Sequence, residues 1–229
     1  MFGSIYRWIL NLVSPKSGSD SSESHLPSYQ SPPSLSGREG STKSQSVTNV
    51  RWGNDSKVTP QLRDSIAWAC IQLMPGRDLS EFMSEILSCM AFETAYSFSP
   101  SVRNPHSNAT GLIQFMPSTA RSLGTTVDAL AKMSQAEQMN YVYRYFLPYK
   151  NRLSNLGDVY LAIFYPAAMN KPDDWIIAHK GSKVYAQNSG FDKRGKGFIT
   201  RGDTLVAVRD AYRRGSSADL MYSGLVHPT

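Results

Sequence analysis

Cysteine is scarce in this chain: two residues in 229, with no C-x-x-C pair and no Cys/His cluster. That excludes a disulfide-rich scaffold and the usual zinc spacings. The four histidines, His25, His106, His179 and His227, are scattered and share no metal-ligand spacing. No stretch approaches the ~18 uninterrupted apolar residues of a membrane span. Acidic residues are outnumbered, 18 Asp+Glu against 24 Lys+Arg, for a net charge of +6. Such a balance suits an anionic partner, whether nucleic acid, phospholipid or an acidic cell-wall polymer, without choosing among them. Strict two-residue alternation is rare, so any sheet is small. What is present is enough for a core: 41% of the residues are apolar. The length suits one domain of ~100–200 residues plus extensions.

Residues 1–13 have the period of an amphipathic helix, with Phe2, Ile5, Tyr6, Ile9, Leu12 and Val13 on one face and Ser4, Arg7 and Asn11 on the other. Arg7 is the sole early side-chain cation and no small-x-small site follows, so no cleavable signal is expected. A docking helix for a partner protein or a membrane surface is the expected role. Residues 14–50 are dominated by Ser, Pro, Gly and Gln, a composition that cannot offset its ordering entropy, and predict a flexible, disordered linker. The folded domain is expected over 51–215, followed by a tail at 216–229.

Capping signals place the helices. Thr59 before Pro60 starts one that carries Leu62, Ile66, Ala69, Cys70 and Leu73 and stops at Pro75. Asp78 with Glu81, and Ser134 with Glu137, read as capping boxes. Further helices are expected at about 158–165 and 203–214. The class is therefore mainly α, with minimal sheet.

Glu93 is the most informative residue. Phe82, Ile86, Cys89 and Glu93 are spaced 4, 3 and 4 apart, which places them within about 60° on one helical face. A carboxylate on an apolar stripe near a helix C-terminus is disfavoured as an anion by burial and by the helix dipole. A carboxyl group that keeps its proton is what general acid catalysis requires. Periodicity alone also allows a structural role, with Glu93 paired to an arginine or reaching past the helix end.

Two blocks follow in order: Phe92-Glu93-Thr94-Ala95-Tyr96-Ser97-Phe98-Ser99-Pro100, then Ala109-Thr110-Gly111-Leu112-Ile113-Gln114-Phe115-Met116-Pro117-Ser118-Thr119-Ala120. Together they resemble the lytic transglycosylases, which share a lysozyme-like fold with goose-type lysozymes. In that family a Glu, usually followed by Ser, ends a helix, and a Gly-Leu-Met-Gln block precedes a Pro-x-Thr-Ala helix start. The resemblance covers most of residues 60–170. It departs from the pattern at Thr94, at Ile113, in the 18-residue step from Glu93 to Gly111, and at Ile163-Phe164-Tyr165-Pro166-Ala167, where the family has Ala-Tyr-Asn-Ala-Gly.

The resemblance implies a lysozyme-like fold and peptidoglycan glycan strands as substrate, cut between N-acetylmuramic acid and N-acetylglucosamine. Glu93 would protonate the glycosidic oxygen and then deprotonate the muramyl 6-hydroxyl, leaving a 1,6-anhydro end. No metal or cofactor is implied, and no nucleic acid is expected as partner. Substrate contacts are expected from Thr94, Tyr96, Gly111, Ile113, Gln114, Phe164 and Tyr165, and from a loop hydroxyl of Ser101 or Ser107, with Gln114 bonding either the sugar or the loop beside it. Tyr96, Tyr143 or Tyr165 would wall the cleft. A hydrolytic muramidase of the same fold would need a second carboxylate, for which Asp158, Asp173 and Asp174 are available. A non-catalytic glycan-binding or structural protein is a further alternative. The form of the 160–168 segment resembles phage enzymes, which implies a virion-carried protein or a lysin delivered to the cell wall.

Two features lie outside that resemblance. Residues 192–203 have the outline of an EF-hand loop, with Asp192 first, Gly197 sixth and Asp203 twelfth. Arg194 and Lys196 stand where calcium ligands belong, so no calcium site is expected. Residues 180–214 carry nine Lys/Arg against three Asp, either a solvated face or an attachment to a negatively charged surface.

Overall fold

The computed structural model describes residues 43–228. The docking helix expected over 1–13, and the expected linker up to residue 42, lie outside the described residues. Helices dominate: α1 (Pro60–Leu73), α2 (Leu79–Glu93), α3 (Pro117–Ser122), α4 (Val127–Ala131), α5 (Gln135–Phe146), α6 (Leu156–Phe164), α7 (Lys183–Asn188) and α8 (Arg201–Arg214). Four strands, β1 (Gln45–Val50), β2 (Ile176–His179), β3 (Phe198–Thr200) and β4 (Tyr222–Val226), form two antiparallel pairs, β1 with β4 and β2 with β3. No described helix is long and apolar enough to cross a membrane.

The centre of the body is α2. Every residue from Phe82 to Ala91 is buried, as expected of a helix that neighbours enclose on all sides. Helices α1, α6 and α8 and strand β1 pack against it, and α5 packs on α1. The polar residues on its buried faces are satisfied locally: Ser88 Oγ donates to the Ser84 carbonyl (2.6 Å) and Ser84 Oγ to that of Ser80 (2.7 Å).

The local start signals operate as sequence chemistry predicts at α1 and α5. Thr59 accepts from the Leu62 amide, and Ser134 with Glu137 forms a complete capping box. At α2 only half of the expected box exists. Asp78 accepts from the Glu81 amide (2.7 Å), but the Glu81 carboxylate is taken by the Tyr212 hydroxyl of α8. A long-range partner there outcompetes the local one.

Two expected boundaries are corrected. Residues 45–50, read as linker, are strand β1, and 222–226, read as tail, are strand β4. Gln45 pairs with Val226 and Val47 with Gly224, and the register shifts before Val50 meets Tyr222. That irregularity, with Asn49 at φ +56°, turns both Val47 and Val50 into the core. The outer edge of β1 is closed by α2, since Ser80 and Ser84 hydroxyls accept from the Thr48 (3.1 Å) and Arg51 (3.0 Å) amides.

The EF-hand outline folds as a closed turn. The Asp192 carboxylate accepts from the Lys196 and Gly197 amides and the Tyr185 hydroxyl. Lys196 Nζ lies 2.5 Å from Asp203 Oδ2, so an ammonium meets the twelfth-position acid. Gly197 has φ +78°, the left-handed conformation for which glycine is suited.

α2 also carries a buried acid that periodicity did not single out. Glu85 is 3% exposed and lies 2.6 Å from the Arg77 guanidinium. Burial pushes its carboxyl up to about 7 from an ordinary 4.5, against the lowering effect of Arg77. Because the folded value lies above the unfolded one, this group's contribution is fully present below pH 4.5 and is lost as pH rises through 7. Glu85→Gln should therefore gain on wild type by up to about 3 kcal/mol between pH 5 and pH 8. Urea unfolding of both proteins at the two pH values measures this, and a constant difference would contradict it.

Candidate active site

Helix α2 delivers Glu93 as its last residue, and Thr94 caps it. The Thr94 hydroxyl donates to the Met90 carbonyl (2.7 Å) and accepts from the Phe98 amide (3.0 Å). These bonds curl the chain into a tight turn, further closed by the Tyr96 amide on the Ala91 carbonyl (2.7 Å). The turn is strained: Ala95, Tyr96 and Phe98 have φ of +50°, +65° and +50°. Non-glycine residues in this region cost about 1–2 kcal/mol each, and such residues concentrate at functional sites. Ala95 is exposed, so Ala95→Gly should relieve its share and stabilise the protein by about 0.5–1 kcal/mol. A lowered urea midpoint in that variant would argue against strain at the turn.

The second block forms its own turn, clasped by Thr110 and Phe115, whose amides and carbonyls pair reciprocally (3.0 and 2.9 Å). Gly111 has φ +88° and Gln114 φ +54°. The Gly111 amide donates to the Val102 carbonyl (2.9 Å), while Gln114 Nε2 donates to the carbonyls of Gly111 (3.0 Å) and Val102 (3.3 Å).

Helix α5 brings the two turns together. Gln138 is fully buried, and its amide spans both blocks: Oε1 accepts from the Leu112 amide (2.6 Å), while Nε2 donates to the carbonyls of Pro100 (3.1 Å) and Leu130 (2.9 Å). One turn earlier, Gln135 Nε2 donates to the carbonyls of Phe98 and Lys57 (2.7 Å each). Gly111 is glycine because Gln138 lies over it. A Cβ there would sit 2.3 Å from Gln138 Oε1.

Glu93 is half-buried, with Oε1 out of solvent. From the preceding residue, Phe92, a file of rings runs through the fully buried Tyr160. Phe92 meets Tyr160 edge-on (5.7 Å), Tyr160 stacks on Phe164 (5.8 Å), and Phe164 meets Phe191 (5.3 Å). Tyr165 lies 6.3 Å from Trp175.

Several expected contacts change role. Thr94 and Ile113 are 1% and 2% exposed, so they shape the turns and offer no face to a ligand. Gly111 is likewise buried, and Gln138 lies against it. The Tyr96 ring lies 5.5 Å from Trp52 and under the Arg214 guanidinium. Tyr143 packs edge-on against Trp68 of α1 (4.6 Å). Ser107 Oγ accepts from the Ala109 amide (3.3 Å), and the Ser101 and Ser99 hydroxyls are 2.9 Å apart. Phe164 and Tyr165 keep half-buried rings. Of the candidate second acids, Asp158 is buried and bonded to Asn155, the Asn170 amide and Arg201. Asp173 is paired with Arg201 (2.5 Å) and Arg209 (2.8 Å). Asp174 is exposed.

Sequence reasoning missed Gln138, although a signal was there. Gln138, Val142 and Phe146 lie four apart and all three are buried, the same pattern of a polar residue on an apolar stripe that picked out Glu93.

Cys70 and Cys89 are buried and not joined in a disulfide, and burial pushes the Cys70 thiol up, away from the reactive thiolate. No group of three or more His, Cys, Asp or Glu side chains among the described residues is placed to hold a metal ion. No protein-family model, curated protein or solved structure compared with the chain matches it.

Proposed function

We propose that this chain is a peptidoglycan lytic transglycosylase built on a lysozyme-like helical domain. One observation carries the reading. The two sequence blocks that bear the resemblance, the end of α2 with Glu93 and the Gly111–Gln114 turn, are strained and are tied to each other through the Gln138 amide.

In this mechanism the Glu93 carboxyl donates its proton to the glycosidic oxygen between N-acetylmuramic acid and N-acetylglucosamine. The resulting carboxylate then takes the proton of the muramyl 6-hydroxyl, whose oxygen closes on the anomeric carbon. The substrate's own acetamido group steadies the positive charge that develops there, so one protein acid suffices. The ordinary glycosidase pattern needs two carboxyl groups across the bond. The commitment of Asp158 and Asp173 to ion pairs with α8 supports the single-acid route over a hydrolytic one. The half-buried rings of Phe164 and Tyr165 would meet sugar faces with their exposed parts.

Mass analysis of digested peptidoglycan tests this reading, because a 1,6-anhydro product lacks one water relative to a hydrolysed one. Hydrolysed ends would make the protein a muramidase. In the proposed setting the protein is carried on a phage particle or released to the cell wall, with residues 1–13 as the attachment to a virion component or a membrane surface.

A further inference from the structure

The basic segment singled out in the sequence divides into two groups of cations. On α8 each has a partner: Arg201 pairs with Asp158 and Asp173, Arg209 with Asp173, Arg213 with Asp210, and Arg214 covers the Tyr96 ring. In the lobe formed by β2, α7 and β3, Lys196 pairs with Asp203 (2.5 Å), but the pattern of the other cations differs. Lys180, Lys183 and Lys193 are exposed and have no ion-pair partner among the described residues. Arg194 is 77% exposed and makes one long ion pair, 3.9 Å from Asp203.

Between Trp175 and Gly202 the single acid is Asp192, which is 8% exposed and occupied by two amides and a hydroxyl. The fold gathers these cations on one lobe. The Lys180 amide bonds the Gly197 carbonyl (2.8 Å), which brings Lys180 and nearby Lys183 beside the turn that carries Lys193 and Arg194. The lobe also adjoins the ring proposed to meet the sugar, since Phe191, just before that turn, packs edge-on against Phe164 (5.3 Å).

We propose that this lobe binds the acidic peptide stems of the glycan strand held at Glu93; the inference rests on the transglycosylase reading. The stems project from the muramyl residues and end in free carboxylates, so a strand stacked on the Phe164 ring carries negative charge past the lobe. Three of the four exposed cations are lysines, compact point charges on flexible stems. They suit carboxylates that vary in position better than a fixed bidentate site would. Clustered charge of one sign raises the local concentration of an opposite-charged ligand, and salt screens it.

The test uses full-length protein with Glu93→Gln, so that the wall is not consumed, and compares it with the same protein bearing Lys180→Glu, Lys183→Glu and Lys193→Glu. Co-sedimentation is measured with purified sacculi and with sacculi whose stem carboxylates have been converted to neutral amides by a carbodiimide and ammonia, which leaves the cross-links in place. The expected result is about tenfold weaker binding of the triple variant to untreated sacculi at about 50 mM salt. The difference should shrink at about 300 mM salt and vanish on the amidated walls. A Gln series at the same three positions should show a smaller loss of the same kind, and matched melting curves establish that the variants fold. Equal binding by both proteins to untreated walls overturns the proposal, as does an equal loss on amidated walls. So does a loss confined to anionic vesicles or to DNA. If Glu93→Gln protein still cleaves walls, the catalytic reading fails while the sedimentation result stands, so the two failures are distinguishable.

Discussion

Glu93→Gln is expected to slow the clearing of purified cell walls by about 10²–10⁴-fold, the usual contribution of a general acid. Glutamine keeps the volume and the hydrogen-bonding capacity of glutamate but has no acidic proton to give to a leaving oxygen. The exchange should leave stability within about 1 kcal/mol, because the residue ends its helix half-buried and Thr94 supplies the cap. Turbidity of a wall suspension measures the rate, and thermal unfolding checks the fold. Equal clearing by the two proteins would end the catalytic assignment and leave a glycan-binding or structural domain.

The second large effect is on stability. Gly111→Ala adds a Cβ at φ +88°, 2.3 Å from Gln138 Oε1 and 2.6 Å from its Nε2. The amide cannot move aside freely, because three backbone groups hold it. Left-handed backbone on alanine costs about 1–2 kcal/mol, and a displaced amide leaves buried backbone groups unpaired at about 1–3 kcal/mol each. A loss of about 3 kcal/mol or more follows, seen as a lowered urea midpoint, and the turns on either side of the site should lose hydrogen-exchange protection.

Gln138→Ala alone should be comparably costly for the same reason. The two changes should not add, since removing the amide makes room for the methyl group. A double-mutant cycle should show coupling of about 1 kcal/mol or more, against the near-additivity expected of independent sites. Strict additivity would mean that Gln138 does not account for the glycine.

The residues differ in what made them readable. Glu93 stood out because a charged residue on an apolar stripe is anomalous within a single helix, and no partner is needed to see it. The same logic applied to α5 finds Gln138, yet its three bonds reach residues 100, 112 and 130, and no periodicity encodes those. Thr94 and Ile113 were assigned to a ligand by analogy, whereas packing turned both inward. Glu81 looked like a capping residue until Tyr212, 131 positions away, took its carboxylate.

From the chain alone come the helices α1, α2, α5, α6 and α8, the central acid, and an EF-hand outline with lysine and arginine in ligand positions. Each depends on forces that act within a few residues: caps, i to i+4 stripes and the loss of specific side chains. Tertiary structure decided the rest. Strands β1 and β4 exist only as a pair, and Ser44 and His227, 183 positions apart, still hydrogen-bond beyond its end. The bulge that turns Val47 and Val50 inward replaces a period of two with a spacing of three, and so hides the strand from any alternation rule. Which cations are paired and which stay exposed is likewise a property of the assembled surface, because an ion pair needs its acid within reach in space, wherever that acid falls in the sequence.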